Sequence, residues 1–151
     1  MNALSGEKVL ITGATGQVAL PVALALAADN DLWAIARFGD AGARDRLEKA
    51  GVTCVVVDFE QADFAGLPDD FAYVLNFGVA KSNDFDRDLA GNAEATGLLM
   101  AHCRSARAFL HCSSTAVYQP VRRTCPSGRP VAVPMQWGSG VPRLKVADPG
   151  S

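Results

Sequence analysis

The sequence is poor in the residues that build metal centres and disulfide frameworks. Its four cysteines, Cys54, Cys103, Cys112 and Cys125, include no C-x-x-C pair. They read as small buried hydrophobes or, for Cys125 in the tail, as a free thiol. The two histidines, His102 and His111, lack ligand spacing and read as a helix-surface and a strand-end residue, so no metal site is expected. No apolar run approaches the roughly 20 residues that cross a bilayer, and Met1 to Lys8 lacks a secretion-signal pattern. These absences predict a cytoplasmic protein with no membrane partner. A strong excess of one charge is missing too, the net charge being −2 over 151 residues, 49% of them hydrophobic and 20% charged. That length gives one domain able to bury a core.

The small net charge hides an asymmetry. Residues 119–151 carry a single acid, Asp148, against five basic side chains, Arg122, Arg123, Arg129, Arg143 and Lys145. The same stretch holds six of the eight prolines and has no helical or strand periodicity, so residues 1–118 are expected to form the domain and 119–151 a poorly ordered tail. A basic tail raises nucleic acid as a partner. With Trp137 its only aromatic residue after Tyr118, none is expected.

What is present begins at Val9-Leu10-Ile11, a short β-rich run suited to a strand buried on both faces of a parallel sheet. It feeds into Thr12-Gly13-Ala14-Thr15-Gly16-Gln17-Val18-Ala19. Gly13 and Gly16 there allow an unusual turn and a close approach of backbone to phosphate, and Ala19 lets helix and strand pack closely. A helix is predicted over Val18 to Ala28, with Pro21 in its first turn, where a missing N–H costs little. Its free amides and positive dipole end would face a dinucleotide pyrophosphate.

Alternation of strands and helices continues to residue 112. Strands are predicted at Leu32 to Ala36, Val52 to Val57, Phe71 to Asn76 and Ala108 to Cys112. Helices are predicted at Ala41 to Ala50 and Asp84 to Arg104, with a loop or turn of helix around Ala62 to Leu67. This is the pattern of an α/β, Rossmann-type doubly wound parallel sheet of about five strands, in the order 3-2-1-4-5 and incomplete at its C-terminal side. Ligands bind such sheets at the carboxyl ends of strands 1 and 4. Arg37 and Phe38 end strand two, where an NAD site would carry an acid. Arg37 either pairs with a 2′-phosphate, favouring NADP over NAD, or is a solvated strand-end charge, with Asp40 close by. Asp58 and Phe59 close strand three near the adenine position. Asn76-Phe77-Gly78-Val79-Ala80 follows strand four, its small residues leaving room for a ribose.

Together these segments resemble the extended short-chain dehydrogenase/reductases, in particular the NAD(P)-dependent epimerase/dehydratase group acting on nucleotide sugars. Thr12 to Ala19 is similar to the family's T-G-x-x-G-x-x-G, with Ala19 in place of the last glycine. The resemblance makes Gly13, Ala14, Thr15, Gly16, Gln17, Val18, Arg37, Asp58, Phe59, Asn76, Phe77, Gly78 and Ser113 cofactor-binding residues. Asn92-Ala93-Glu94-Ala95-Thr96 resembles N-V-x-G-T, which makes Asn92 the helix asparagine of the active-site scaffold. Ser113-Ser114-Thr115-Ala116-Val117-Tyr118 resembles S-S-x-x-V-Y, which makes Ser114 the catalytic serine. A dinucleotide, a small-molecule substrate and a second copy, paired through the helix beginning near Asp84, are the partners this implies.

The resemblance covers Lys8 to Tyr118. Members of the family carry a Tyr-x-x-x-Lys pair farther on, in which lysine lowers the tyrosine's pKa for acid/base work. Here Tyr73 is followed at that interval by Phe77 and Tyr118 by Arg122. A truncated or frame-shifted member is therefore expected, binding cofactor and turning over little. The alternatives are a non-enzymatic dinucleotide sensor and a reductase using Ser114 and Tyr118 without lysine.

Overall fold

The computed structural model describes residues 4–113 and the backbone of 118–119 and 133–134. The chain divides into two compact units, 1–112 and 113–151. In the first, β1 (Lys8–Thr12), α1 (Ala19–Ala27), β2 (Asp31–Ala36), α2 (Ala41–Lys49), β3 (Thr53–Val56) and β4 (Tyr73–Asn76) follow in order. One helical run then comprises α3 (Phe85–Leu89), a π-helical turn (Ala90–Glu94) and α4 (Ala95–His102), and leads to β5 (Ala108–His111). All strand pairs in this unit are parallel and their order is β3-β2-β1-β4-β5, as the alternating pattern predicts. In the second unit, β6 (Tyr118–Gln119) pairs antiparallel with β7 (Val133–Pro134).

The sheet is covered on both faces because its central strands are apolar on both. Val9 and Ile11 point into one core with Ala34, Ala19 and Ala23 of α1, and Leu47 of α2. Leu10 points the other way, joining Ile35, Val74, Phe71 and Leu99 of α4. Ala19 and Ala23, one turn apart and fully buried, bring α1 close to the sheet. The β3–β4 connection contains no helix; Phe64, Leu67 and Phe71 fill the helix's place. His102, expected on a helix surface, contacts the Leu67 and Pro68 carbonyls through Nε2 at 3.2 and 3.1 Å and so fastens this connection to α4.

Helix ends follow local chemistry. Asp40 caps α2 by accepting from the Gly42 and Ala43 amides. At the other end Gly51, at φ +85, closes a Schellman motif, with Gly51 N–H donating to Glu48 and Val52 N–H to Leu47. Asp84 caps α3. By contrast α1 begins at Val18, which supplies no side-chain cap, and has no acid in its first turn.

Among the described residues no helix is long and apolar enough to cross a membrane. Cys103 is buried, which pushes its thiol up to about 11. Phe71 is fully buried and meets Trp33 edge-on at 6.0 Å. Phe71→Ala is expected to lower the unfolding free energy by about 3–5 kcal/mol, a large share of the total of a domain this size, as read from urea denaturation.

Candidate functional site

The site lies where the sheet order reverses, between β1 and β4. Gly13 sits at φ +61 and donates its N–H to the Ile35 carbonyl at 2.9 Å. A Cβ there would stand 2.9 Å from Gly78 Cα and 3.0 Å from Gly78 N. Gly13 is therefore required twice over, by its backbone angle and by the close approach of the loop after β4. Gly78 is tightly fitted in turn, since its Cβ would lie 3.0 Å from Thr12 Oγ1 and press on it.

Beneath this contact is a buried polar network. Thr12 and Asn76 are both completely buried. Gly78 N–H donates to Thr12 Oγ1 at 2.8 Å, and the Thr12 hydroxyl donates to Asn76 Oδ1 at 2.5 Å. Asn76 Nδ2 donates to Thr96 Oγ1 at 3.1 Å and lies 3.1 Å from His111 Nδ1; the Thr96 hydroxyl donates to the Asn92 carbonyl at 2.6 Å. The amide orientation follows from this chain of donors. Thr96 has spent its proton on Asn92, so only an N–H can face it, and His111 Nδ1 accepts the second Asn76 proton. No buried side-chain donor or acceptor among the described residues is left without a partner.

Asn92 acts as a clamp. Its Oδ1 accepts from Ala80 N–H at 2.9 Å while its Nδ2 donates to the Ala80 and Asp88 carbonyls, each at 2.8 Å. Beside it Gly91 makes room, because a Cβ there would stand 2.5 Å from Ala80 Cβ. The π-helical turn thus presents both a notch and a side-chain amide to the loop 77–80, a local widening of the kind found at functional sites.

The resulting groove, about 480 Å³, is lined by Gly13, Thr15, Gly16, Arg37, Asp58, Phe59, Phe77 and Gly78, all read from the sequence. It is also lined by Ala36, Phe38, Gly39, Asp40, Val57, Glu60, Val79 and Ala80. Of the remaining candidates, Ala14 is buried and Asn76 lies in the network under the floor. Gln17 and Val18 are exposed outside the lining. Ser113 opens the second unit, and Ser114 lies outside the described residues. Thr12, Thr96, His111 and Gly91 carry the groove's framework; Thr12 and Thr96 stand within the two motifs but outside the residues that the resemblance assigns to the site, and His111 and Gly91 have no motif signal.

The charges lining the groove are mostly engaged. Asp40 caps α2, and Asp58 Oδ1 accepts from Glu60 N–H at 3.0 Å. Glu60 takes two bonds from Arg87 at 3.0 and 2.6 Å, which raise the Arg87 pKa above its ordinary value. Arg37 is exposed and forms none of the ion pairs among the described residues. Phe38 stands at φ +50, a conformation that costs a bulky residue about 1–3 kcal/mol. No group of three or more metal-ligating side chains gathers among the described residues.

An uncapped helix N-terminus, a glycine-walled turn and a groove at the topological switch point define a Rossmann-type dinucleotide-binding domain. The chain belongs to the NAD dependent epimerase/dehydratase family, whose model matches residues 9–135, extending past Tyr118 into the proline-rich segment. The family's cofactor is a nicotinamide dinucleotide. No curated protein sequence matches. Among solved structures, UDP-glucuronic acid 4-epimerase from Bacillus cereus in complex with NAD is 19% identical with a TM-score of 0.65, over 82% of this chain and 45% of that one. UDP-N-acetylglucosamine 4-epimerase from Methanobrevibacter ruminantium M1 is 22% identical with a TM-score of 0.68, over 87% and 46%. A short-chain type dehydrogenase/reductase from Mycobacterium ulcerans is 21% identical with a TM-score of 0.53, over 66% and 46%. The chain spans less than half the length of these proteins, and at such identities the likeness is one of fold.

The clamp yields a test. Asn92→Asp keeps an acceptor for Ala80 N–H but turns a carboxylate oxygen toward two carbonyls, which raises the new group's folded-state pKa above its unfolded value of about 3.9. The protonated form can still donate, so the deficit against wild type is smallest below that value. It grows as pH rises through the folded-state pKa, to about 2–3 kcal/mol. Urea unfolding at a series of pH values checks the sign; a deficit that shrinks toward alkaline pH contradicts it.

Proposed function

We propose that this chain binds a nicotinamide dinucleotide with its pyrophosphate on the first turn of α1, and that NADP is preferred to NAD. The observation that carries the reading is the contrast among helix ends. α2 and α3 are capped by their own aspartates, whereas α1, at the glycine-walled end of the groove, has neither a cap nor an acid in its first turn. Pro21 has no N–H and the Leu20 N–H donates to the Gly16 carbonyl at 2.9 Å, so the amides before them, with the positive dipole end, are the groups that suit a diphosphate. The groove's size, with Gly16 exposed at its wall, suits the same ligand.

The NADP preference rests on Arg37. Every acid in the lining already accepts a hydrogen bond, while Arg37, at the end of β2, has no ion-pair partner there. A 2′-phosphate supplies one in bidentate geometry. The substrate we infer is a nucleotide sugar or a similar carbonyl or hydroxyl compound. Ser114 is the serine that contacts it, and Asn92 is a positioning residue through its hold on Ala80. Since these 151 residues contain no Tyr-x-x-x-Lys, cofactor binding rather than turnover is the activity assigned to them.

Titration calorimetry of the chain with NADP and with NAD is expected to give saturable heat for both, tighter for NADP. Gly16 is not at positive φ, and its Cβ would meet only the Gly13 carbonyl oxygen, at 3.1 Å. Gly16→Val is therefore expected to fold with binding of both cofactors lost. Arg37→Gln is expected to weaken NADP about 10–100-fold, the worth of a charge-assisted pair, and to leave NAD within about twofold. Absence of heat with either dinucleotide contradicts the reading, and an unchanged NADP affinity in Arg37→Gln contradicts the preference.

A further inference from the structure

We propose that Phe38 is a positioning residue for Arg37 and thereby sets the discrimination between NADP and NAD; this rests on the reading of Arg37 given above. Three non-glycine residues among those described have positive φ, namely Phe38, Ala62 and Asn83, and of these only Phe38 lines the groove. It is the bulkiest of the three and the residue for which a left-handed backbone is least natural. Such a conformation persists only where the surroundings impose it.

What imposes it is visible on both sides of the ring. Phe38 is buried in the core that contains Ala14, Ala36 and Leu47, so leaving the left-handed region would draw an aromatic side chain out of that core. Over the ring, at 5.3 Å from its centroid, lies the Arg44 guanidinium, held there by its bond to Glu48 at 2.7 Å. Arg44 is the fourth residue of α2, so the contact resembles a hydrophobic staple across a helix start, with a cation–π pair as its clasp. Two residues past Phe38, Asp40 is tied to the α2 amides.

The consequence falls on the residue before. Ala36 is held in the sheet, accepting from Val57 N–H at 3.1 Å. Arg37 therefore lies between a strand end and a buried ring, with its own side chain exposed on the groove. Ala36 and Phe38 are both buried while Arg37 between them is exposed, so anchoring the ring on the core side leaves the Arg37 side chain on the open side. A 2′-phosphate then meets a guanidinium whose base is already oriented; NAD, without that phosphate, is indifferent to it.

The test compares cofactor affinities of the 151-residue chain by calorimetry. Phe38→Gly, which tolerates the backbone angle but lacks the ring, is expected to weaken NADP about five- to tenfold with NAD within about twofold. In the Arg37→Gln background the same change is expected to have no further effect on NADP, since the two residues act as one unit. Phe38→Tyr keeps the ring and should keep the wild-type ratio. Arg44→Met leaves the ring in place and removes the cation, so a smaller shift in the same direction is expected, about two- to threefold. Equal weakening of both cofactors by Phe38→Gly, or a Phe38 effect that survives Arg37→Gln, overturns the proposal while the Arg37 reading stands. An NADP affinity unchanged by Arg37→Gln overturns both. Should Phe38→Gly not fold, an unchanged ratio in Arg44→Met overturns the proposal.

Discussion

The close approach of the β1–α1 turn to the loop after β4 is the constraint on which the groove depends. At that crossing Gly13 and Gly78 leave no room for a methyl group on Gly13, whose Cβ would lie 2.9 Å from Gly78 Cα. Two loops cannot be brought so near without burying the polar groups under them. Thr12 and Asn76 are those groups, and both are fully buried. An unpartnered amide there would cost about 1–3 kcal/mol, so the crossing is tolerable only because each donor has an acceptor. The network extends from Gly78 through Thr12, Asn76 and Thr96 to the Asn92 carbonyl, and the Asn92 side chain returns to Ala80. The floor of the groove and its β4-side wall are thus one hydrogen-bonded object spanning β1, β4 and the π-helical turn.

On top of that framework, what the groove can bind follows from which charges are already satisfied. Asp40, Asp58 and Glu60 supply the acids of the lining, and each accepts from a helix start, a tight turn or Arg87. Their negative charge is thereby committed to structure. The groups still seeking partners are positive, the α1 amides at one end and Arg37 at the end of β2. This is the distribution on which the proposed NADP preference rests.

Much of this was legible in the sequence because it depends on local rules. Val9 to Ile11 followed by Gly13 and Gly16 specifies strand, turn and helix within a dozen residues, and the apolar runs at Leu32, Val52 and Val74 fall on a parallel sheet in the expected order. The places of Asp58 and Gly78 after strands put both in the groove lining. What escaped depends on contacts between distant segments. Nothing in Asp84 to Arg104 distinguishes a continuous helix from one carrying a π turn at Ala90–Glu94, because the widening answers Ala80, eleven residues before Gly91. His111 looked like a routine strand-end residue until β5 set it beside Asn76. The left-handed Phe38 was hidden for a similar reason, since the turn signal there is Gly39 and the residue forced to reverse is its neighbour.

The same geometry links cofactor binding to folding. The groove is lined by the end of β2 and by the segments that follow β1, β2, β3 and β4, which are joined by backbone bonds from Gly13 to Ile35 and from Val57 to Ala36, by the Asn76 network and, through α3, by the Glu60–Arg87 pair. The outer strands are the weaker members, with Val56 on β3 and Leu110 on β5 well exposed. A ligand touching the β2 and β4 loops together is bound only by the assembled sheet, so it adds stability in proportion to the logarithm of its concentration over its dissociation constant. The Gly13–Gly78 crossing supports both ends of that linkage. It shapes the groove at its Gly13 and Gly78 wall, and it ties the turn after β1 to the loop after β4.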